Sequence, residues 1–349
     1  MDVVELGELP DLGPLLARAG TAVLPSLDAL PWRSRSDAAT GTGDTSESDD
    51  DPAGTAPAGD SGASGDQDGS RGAGDRHDDR DAGAASGRSG LPSRQVVVHD
   101  VAIELDAVAD YADVCGFRLS SDVPVTFPHV LGFPLSVWLM TRDDFPHDLL
   151  GLVHTRNQVV ARDPIPIGAR VDLTANVVNE RSHPKGSMFD AALQVRRDDR
   201  IVWASTSTYL RRGPTPSTDA STTTTGTASP TGADAVDLDR LPTTARWSVP
   251  ADIGRRYGAV SGDRNPIHLS AVTAKPFGFP RAIAHGMWTK AAALAGLGTL
   301  ARPATIDVVF QRPVLLPSTV EYATRRTPGG WEFGLRGPDG TPHLRGRVT

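Results

Sequence analysis

The chain has 349 residues, 35 Lys and Arg against 43 Asp and Glu, and a formal net charge of −8. All of that excess acidity lies in one stretch, 34–90, which holds five Arg and thirteen Asp or Glu; the remainder is balanced. A neutral body without a Lys/Arg cluster argues against nucleic acid as the partner, no apolar run reaches the roughly 18–20 residues that span a bilayer, and a single cysteine, Cys115, permits neither a disulfide framework nor a cysteine-based zinc site. The acidic N-terminus lacks the basic start of a secretory signal, so the expectation is a cytoplasmic protein.

Residues 1–33 form a short arm with an apolar, helix-like patch at 12–23. The tract 34–90 has no Leu, Ile, Val, Met or aromatic residue, so it cannot bury enough apolar surface to offset its conformational entropy and is expected to be disordered. A first body at 91–212 follows, then a Thr/Pro/Gly-rich linker at 213–235 and a second body at 236–349. The first body predicts a helix at 107–115, a second helix starting near Pro134, and strands at 152–160, 170–181, 188–196 and 201–211. The second body predicts helices at 251–260 and 286–300, then strands at 305–310, 318–324, 331–335 and 343–348. An apolar helix followed by antiparallel strands is an α+β pattern, a sheet wrapped around a central helix.

The two bodies read as copies. Tyr111-Ala-Asp-Val-Cys-Gly-Phe-Arg118 matches Tyr257-Gly-Ala-Val-Ser-Gly-Asp-Arg264, Phe127-Pro-His-Val-Leu-Gly-Phe-Pro134 matches Phe279-Pro-Arg-Ala-Ile-Ala-His-Gly286, and Ile165-Pro-Ile-Gly matches Val314-Leu-Leu-Pro more weakly. The order is kept, which points to a duplication. In this alignment Asp263 falls opposite Phe117, His268 opposite Asp122, Ser261 opposite Cys115, and Gly286 opposite Pro134, which has no N–H to donate. One half therefore reads as catalytic and the other as scaffold.

Ser261-Gly-Asp-Arg-Asn-Pro-Ile-His268 brings a carboxylate, a carboxamide and an imidazole into one tight loop, shaped by Gly262 and Pro266. Asp263 with His268 suits proton transfer near neutral pH, and no Ser or Cys is placed to complete a hydrolytic triad. Gly286 opens the apolar helix of the second body, where unpaired amides could hold an oxyanion. Taken singly, Asp263 is also an ordinary turn residue and His268 an ordinary loop histidine. His285 reads as a packing or hydrogen-bonding residue at the helix start, and Cys115 as a small buried one. His129, His147, His154, His183 and His343 show no metal-ligand spacing.

Tyr257-Gly-Ala-Val-Ser-Gly-Asp-Arg-Asn-Pro-Ile-His268 followed by Ala284-His-Gly-Met287 resembles the hydratase 2 motif of MaoC-like (R)-specific enoyl-CoA hydratases and 3-hydroxyacyl-thioester dehydratases. With two bodies and one intact motif, the chain is most similar to the double-hotdog actinobacterial type. The resemblance implies two hotdog folds packed as a pseudo-dimer and reversible hydration of a trans-2-enoyl thioester in fatty-acid metabolism. By position, Asp263 and His268 would be the acid/base pair, Asn265 would hold the water and the loop, and the Gly286 amide would bind the thioester oxygen. It implies no cofactor and no metal. Tyr257, Ser261 and His285 would border the substrate. Pro134 should disturb the start of the first central helix and leave Phe133 and the apolar residues up to Met140 beside an acyl tunnel.

Three other activities compete with this one: a dehydratase acting on acyl carrier protein (ACP), a hydrolase of the same fold, and a non-catalytic acyl-thioester-binding subunit. Arg255, Arg256, Lys275 and Arg281 are the candidate contacts for carrier phosphates. A monomeric pseudo-dimer and a homodimer both fit the duplication.

Overall fold

The computed structural model describes residues 1–19, 90–213 and 232–349. The acidic tract and most of the linker lie outside the described residues, as does the arm beyond residue 19. The N-terminal half contains β2 (Arg94–Ala102), α2 (Leu105–Cys115), α3 (Phe127–Met140), β3 (Leu152–Ala161), β4 (Arg170–His183), β5 (Gly186–Arg197) and β6 (Arg200–Arg212). It is preceded by β1 (Asp2–Leu6) and α1 (Leu12–Arg18), which is capped by the Asp11 side chain accepting from the Gly13 amide. The C-terminal half contains β7 (Thr243–Val249), α4 (Ile253–Ser261), α5 (Ala271–Ala274), α6 (Gly286–Leu297), β8 (Ala304–Phe310), β9 (Ser318–Thr327), β10 (Gly330–Arg336) and β11 (Pro342–Val348).

The eleven strands of the described residues join one sheet in the order β1-β2-β4-β5-β6-β3-β8-β11-β10-β9-β7. Removing β1, which adds in parallel to β2, leaves the same antiparallel five-strand order in each half, the two runs meeting at β3 and β8. That seam pairs Ala161 with Ala304 and Arg156 with Val309. Arg156 also reaches the carboxylates of Asp307 and Asp234 across it. Each half is thus a helix wrapped by a five-stranded sheet, and the halves share that sheet: a double hotdog of the α+β class.

The central helices are apolar because they are buried on nearly every side. Leu135 and Leu139 of α3 and Ala291, Ala293 and Leu294 of α6 have no exposed surface. Gly132 lets α3 approach β5 so closely that a Cβ there would lie 2.4 Å from Leu193, and Tyr322 of β9 donates to the Ala293 carbonyl of α6 at 2.7 Å. The halves also interlock: Tyr111 and Tyr257 pack at 6.2 Å between α2 and α4, and the Trp288 indole donates to the Val114 carbonyl at 3.0 Å. Fully buried Lys290 of α6 donates to the Asn157 carbonyl on β3 at 3.2 Å, and burial pushes its amine down to about 7.

Two expectations are corrected. Helix α3 begins at Phe127, not near Pro134; its helix-start proline is Pro128, where a missing N–H does no harm, and Pro134 sits inside a helix that continues past it. The internal alignment shifts accordingly. The amides of Val123 and Ala284 donate at 2.9 Å to the carbonyls of Ile165 and Val314, so these pairs are equivalent. By the same register Gly286 falls opposite Val125, two residues before α3 begins at Phe127, and His285 falls opposite Pro124. Asp122 corresponds to Ile283, each forming an isolated bridge with the following segment, so His268 has no counterpart at all. The first half lacks the entire excursion between Gly262 and Ala284 that carries it. Residues Gly232–Ala235 form a turn in which Ala233 is buried and donates to Asp307 at 2.8 Å.

Candidate active site

The site is built where the loop after α4 folds back on that helix. Gly262, with φ of 73°, caps α4 in the left-handed region, as Gly116 caps α2 with φ of 79°. Two helix glycines make room for the returning loop: a Cβ on Gly254 would lie 2.0 Å from the His268 carbonyl oxygen, and one on Gly258 would lie 3.0 Å from that of Asp263. The loop holds itself through short local bonds. The Asp263 amide donates to Ser261 Oγ at 3.2 Å, the Asn265 amide to Asp263 Oδ1 at 3.3 Å, and the Ile267 amide to Asn265 Oδ1 at 3.3 Å. Asn265 thereby starts the turn that presents His268.

The segment before α6, bridged to Leu315 at Ile283, fixes both partners. The Ile283 amide donates to the Ile267 carbonyl at 3.0 Å, and His268 Nδ1 donates to the Ile283 carbonyl at 2.8 Å. His285 Nε2 donates to the Asp263 carbonyl at 2.9 Å and lies 3.8 Å from its carboxylate. The two imidazoles stack with centroids 3.6 Å apart, and the Tyr257 ring packs on His285 at 4.9 Å. The Asp263 carboxylate and one nitrogen of each imidazole lie within 4.8 Å of one another. Each imidazole spends one nitrogen on a backbone carbonyl, leaving His268 Nε2 and His285 Nδ1 with free lone pairs.

Burial lowers the pKa of His268, opposed by the nearby Asp263 carboxylate, so its imidazole is neutral near pH 7. Burial also lowers His285, with His268 adding to the effect and the bond to the Asp263 backbone opposing it. Helix α6 starts immediately after His285, and no side chain caps its first turn. Its exposed amides and positive dipole end open on the same space. A Cβ on Gly286 would meet the Phe310 ring at 3.2 Å, so glycine leaves this amide clear of a side chain in a narrow place.

One cavity of about 870 Å³ contains these groups. Asp263, Asn265, His268 and Gly286 line it, as do Tyr257, Ser261, His285 and Phe133; Pro134 does not. Met140 at the end of α3 also lines it, whereas the residues between Phe133 and Met140 do not. None of Arg255, Arg256, Lys275 and Arg281 lines it. Arg255 donates to the Leu269 carbonyl, Arg256 pairs with Asp113, and Arg281 donates to the Pro317 carbonyl. The basic lining instead comes from Lys185, Arg211, Arg212 and Arg312. His129 and His154, which show no metal-ligand spacing in the sequence, and Tyr209, to which no role was assigned, line the cavity from the N-terminal half. The one available signal was a histidine inside the otherwise apolar α3.

Comparison with known proteins bears on this geometry. Residues 226–328 match the family model described as MaoC like domain. The chain is similar to 3-hydroxyacyl-thioester dehydratase X of Mycobacterium tuberculosis, with 36% identity over 260 residues, covering 74% of this chain and 90% of that protein. The crystal structure of HtdX from Mycobacterium tuberculosis superposes with a TM-score of 0.63 at 34% identity, covering 73% of this chain and 99% of that one. A MaoC-like dehydratase from Phytophthora capsici, 19% identical, shares the fold with a TM-score of 0.62 over 74% of this chain and 95% of its own. With a duplicated hotdog fold and a relative this close over most of its length, the chain belongs to the MaoC-like dehydratase family.

Proposed function

We propose that this protein catalyses the reversible hydration of trans-2-enoyl thioesters to (R)-3-hydroxyacyl thioesters, with Asp263 and His268 as the acid/base pair. The observation that carries this reading is the bare Nε2 of a neutral His268, held beside the Asp263 carboxylate and next to an uncapped helix start. Hydration places a hydroxyl on C3 and a proton on C2. One group of the pair takes a proton from water as its hydroxyl adds to C3, and that same proton is passed on to C2, so the pair begins and ends unprotonated; the reverse reaction runs the transfer backwards. The thioester carbonyl acquires enolate character as C2 is protonated or deprotonated, and the Gly286 amide is the donor for that oxygen. Asn265 holds the loop through Oδ1 and keeps its amide nitrogen for the water. The name of the mycobacterial relative supports the reaction class, and the hydratase 2 motif supports the stereochemistry.

Lys185, Arg211, Arg212 and Arg312 suit the phosphates of a carrier, and both coenzyme A and acyl carrier protein present phosphate beside the thiol arm. The test is hydration of trans-2-enoyl-CoAs of graded length, read as loss of the conjugated-thioester absorbance. A dehydrogenase specific for the (S) product reports handedness. The expected result is turnover, product refused by that enzyme, and a loss of about 10²–10⁴-fold in Asp263→Asn. Turnover confined to ACP-bound substrates would identify the carrier. No turnover on either carrier by the folded protein would leave an acyl-thioester binder instead.

A further inference from the structure

The cavity wall contributed by the N-terminal half is not what a plain hydrocarbon tail requires. His129 of α3, His154 of β3 and Tyr209 of β6 line it together with Phe310 of β8. The rings form one series. His129 and His154 stack at 6.3 Å with an interplanar angle of 18°, and His154 and Tyr209 stack at 4.7 Å with 22°. Phe310 packs against His154 at 5.0 Å, and it is the same ring that limits the space at Gly286. From the Gly286 amide the next ring is therefore Phe310, and the one after it is His154. An acyl chain anchored by its thioester at Gly286 and extending into the N-terminal half passes these imidazoles soon after the reacting carbons.

His154 Nε2 is buried and has no hydrogen-bond partner among the described residues. A contact with the Arg156 backbone keeps the proton on its other nitrogen, so Nε2 presents a lone pair. A buried acceptor left unpaired is unfavourable, and this one lies on a residue that lines the cavity. Burial holds both rings neutral. It pushes His129 down to about 4, helped by the Lys290 charge and opposed by Asp263, and it pushes His154 down to about 3, helped by His129 and Lys290. A neutral acceptor of this kind calls for an uncharged O–H, not for a carboxylate.

We propose that the cavity selects acyl thioesters bearing a hydroxyl on the chain beyond the reacting carbons, with His154 Nε2 accepting that O–H and His129 completing the polar seat. The proposal rests on the hydratase reading above and adds the substrate class to it. A site built to hydrogen-bond a substrate hydroxyl rejects the analogue that lacks it much more strongly than an apolar pocket rejects a missing methylene.

The experiment compares trans-2-octenoyl-CoA with its hydroxylated counterparts, the hydroxyl placed at each carbon from the fifth to the eighth. For the wild-type protein the expected result is kcat/KM at least about tenfold higher for one hydroxylated position than for the plain chain. In His154→Phe that ratio should fall to about one, whereas merely structural damage lowers both rates and keeps the ratio. Equal rates on plain and hydroxylated chains in the wild type overturn the proposal alone, as does a ratio that survives in His154→Phe. Turnover of neither kind of chain, presented on coenzyme A or on acyl carrier protein, overturns the hydratase reading and this one with it. The wild-type comparison decides the matter even if the variant does not fold.

Discussion

A backbone carbonyl can only accept, so the 2.8 Å contact between His268 Nδ1 and the Ile283 oxygen puts the proton on Nδ1 and leaves Nε2 free to act as the base in the proposed reaction. The same logic places a proton on His285 Nε2, which faces the Asp263 carbonyl, and removes that nitrogen from acid/base work. The base must be unprotonated to act, and burial lowers the His268 pKa below its ordinary value of 6.5. The acid limb of kcat/KM for enoyl-thioester hydration should therefore fall below pH 6.5, with the rate level from there to pH 8. A limb centred at or above pH 7 would contradict the assignment of His268 as a neutral base. The residues of this loop were legible because they are contiguous and because proton transfer restricts which side chains can serve. His129 and His154 were not. One comes from α3 and the other from β3, and only the packing of that helix on that sheet brings their rings together.

Helix α4 is the element that seats the catalytic loop, and its glycines bear the consequence. Gly254 is the second residue of α4, where alanine is the better helix former, so Gly254→Ala would favour an isolated helix. Here the added methyl would lie 2.0 Å from the His268 carbonyl oxygen, which is backbone and cannot swing aside. The loop must move, and with it the turn that aims His268. The expected outcome is a loss of more than about tenfold in kcat with the far-ultraviolet circular dichroism retained, since an ångström of misplacement costs about a hundredfold. Activity within twofold of wild type would show that the loop does not depend on this seat. Elements with strong periodicity or β-branched runs were legible, as α2, α4, α6 and the eight strands from β3 to β6 and β8 to β11 show. The start of α3 was not, because the Phe-Pro pattern at Phe127 recurs at Phe279 and invites an alignment that only the Val123 and Ala284 hydrogen bonds correct. Strands β1, β2 and β7 went unread as well. Those at the sheet's two ends, β1 and β7, are exposed along much of their length, which weakens the alternation that marks a strand.

At the scale of the whole molecule, both halves of the duplication line one cavity, and the arrangement buries several imidazoles in their neutral form. His129 and His154 come from the first half, His268 and His285 from the second, and burial lowers the pKa of all four. The unfolded chain binds protons on these groups near 6.5, whereas the folded one resists until lower pH. Between those limits the unfolded state holds more protons, so stability rises with pH and is lost as pH falls. With its pKa pushed down to about 4, His129 alone contributes on the order of 3 kcal/mol to that loss between pH 6.5 and pH 4. Urea midpoints measured from pH 7.5 down to pH 4 should decline continuously from about pH 6.5. In His129→Phe, which cannot take up a proton in either state, the decline should be shallower. A wild-type midpoint constant across that range, or a variant with an equally steep decline, would mean that these rings are not buried in neutral form.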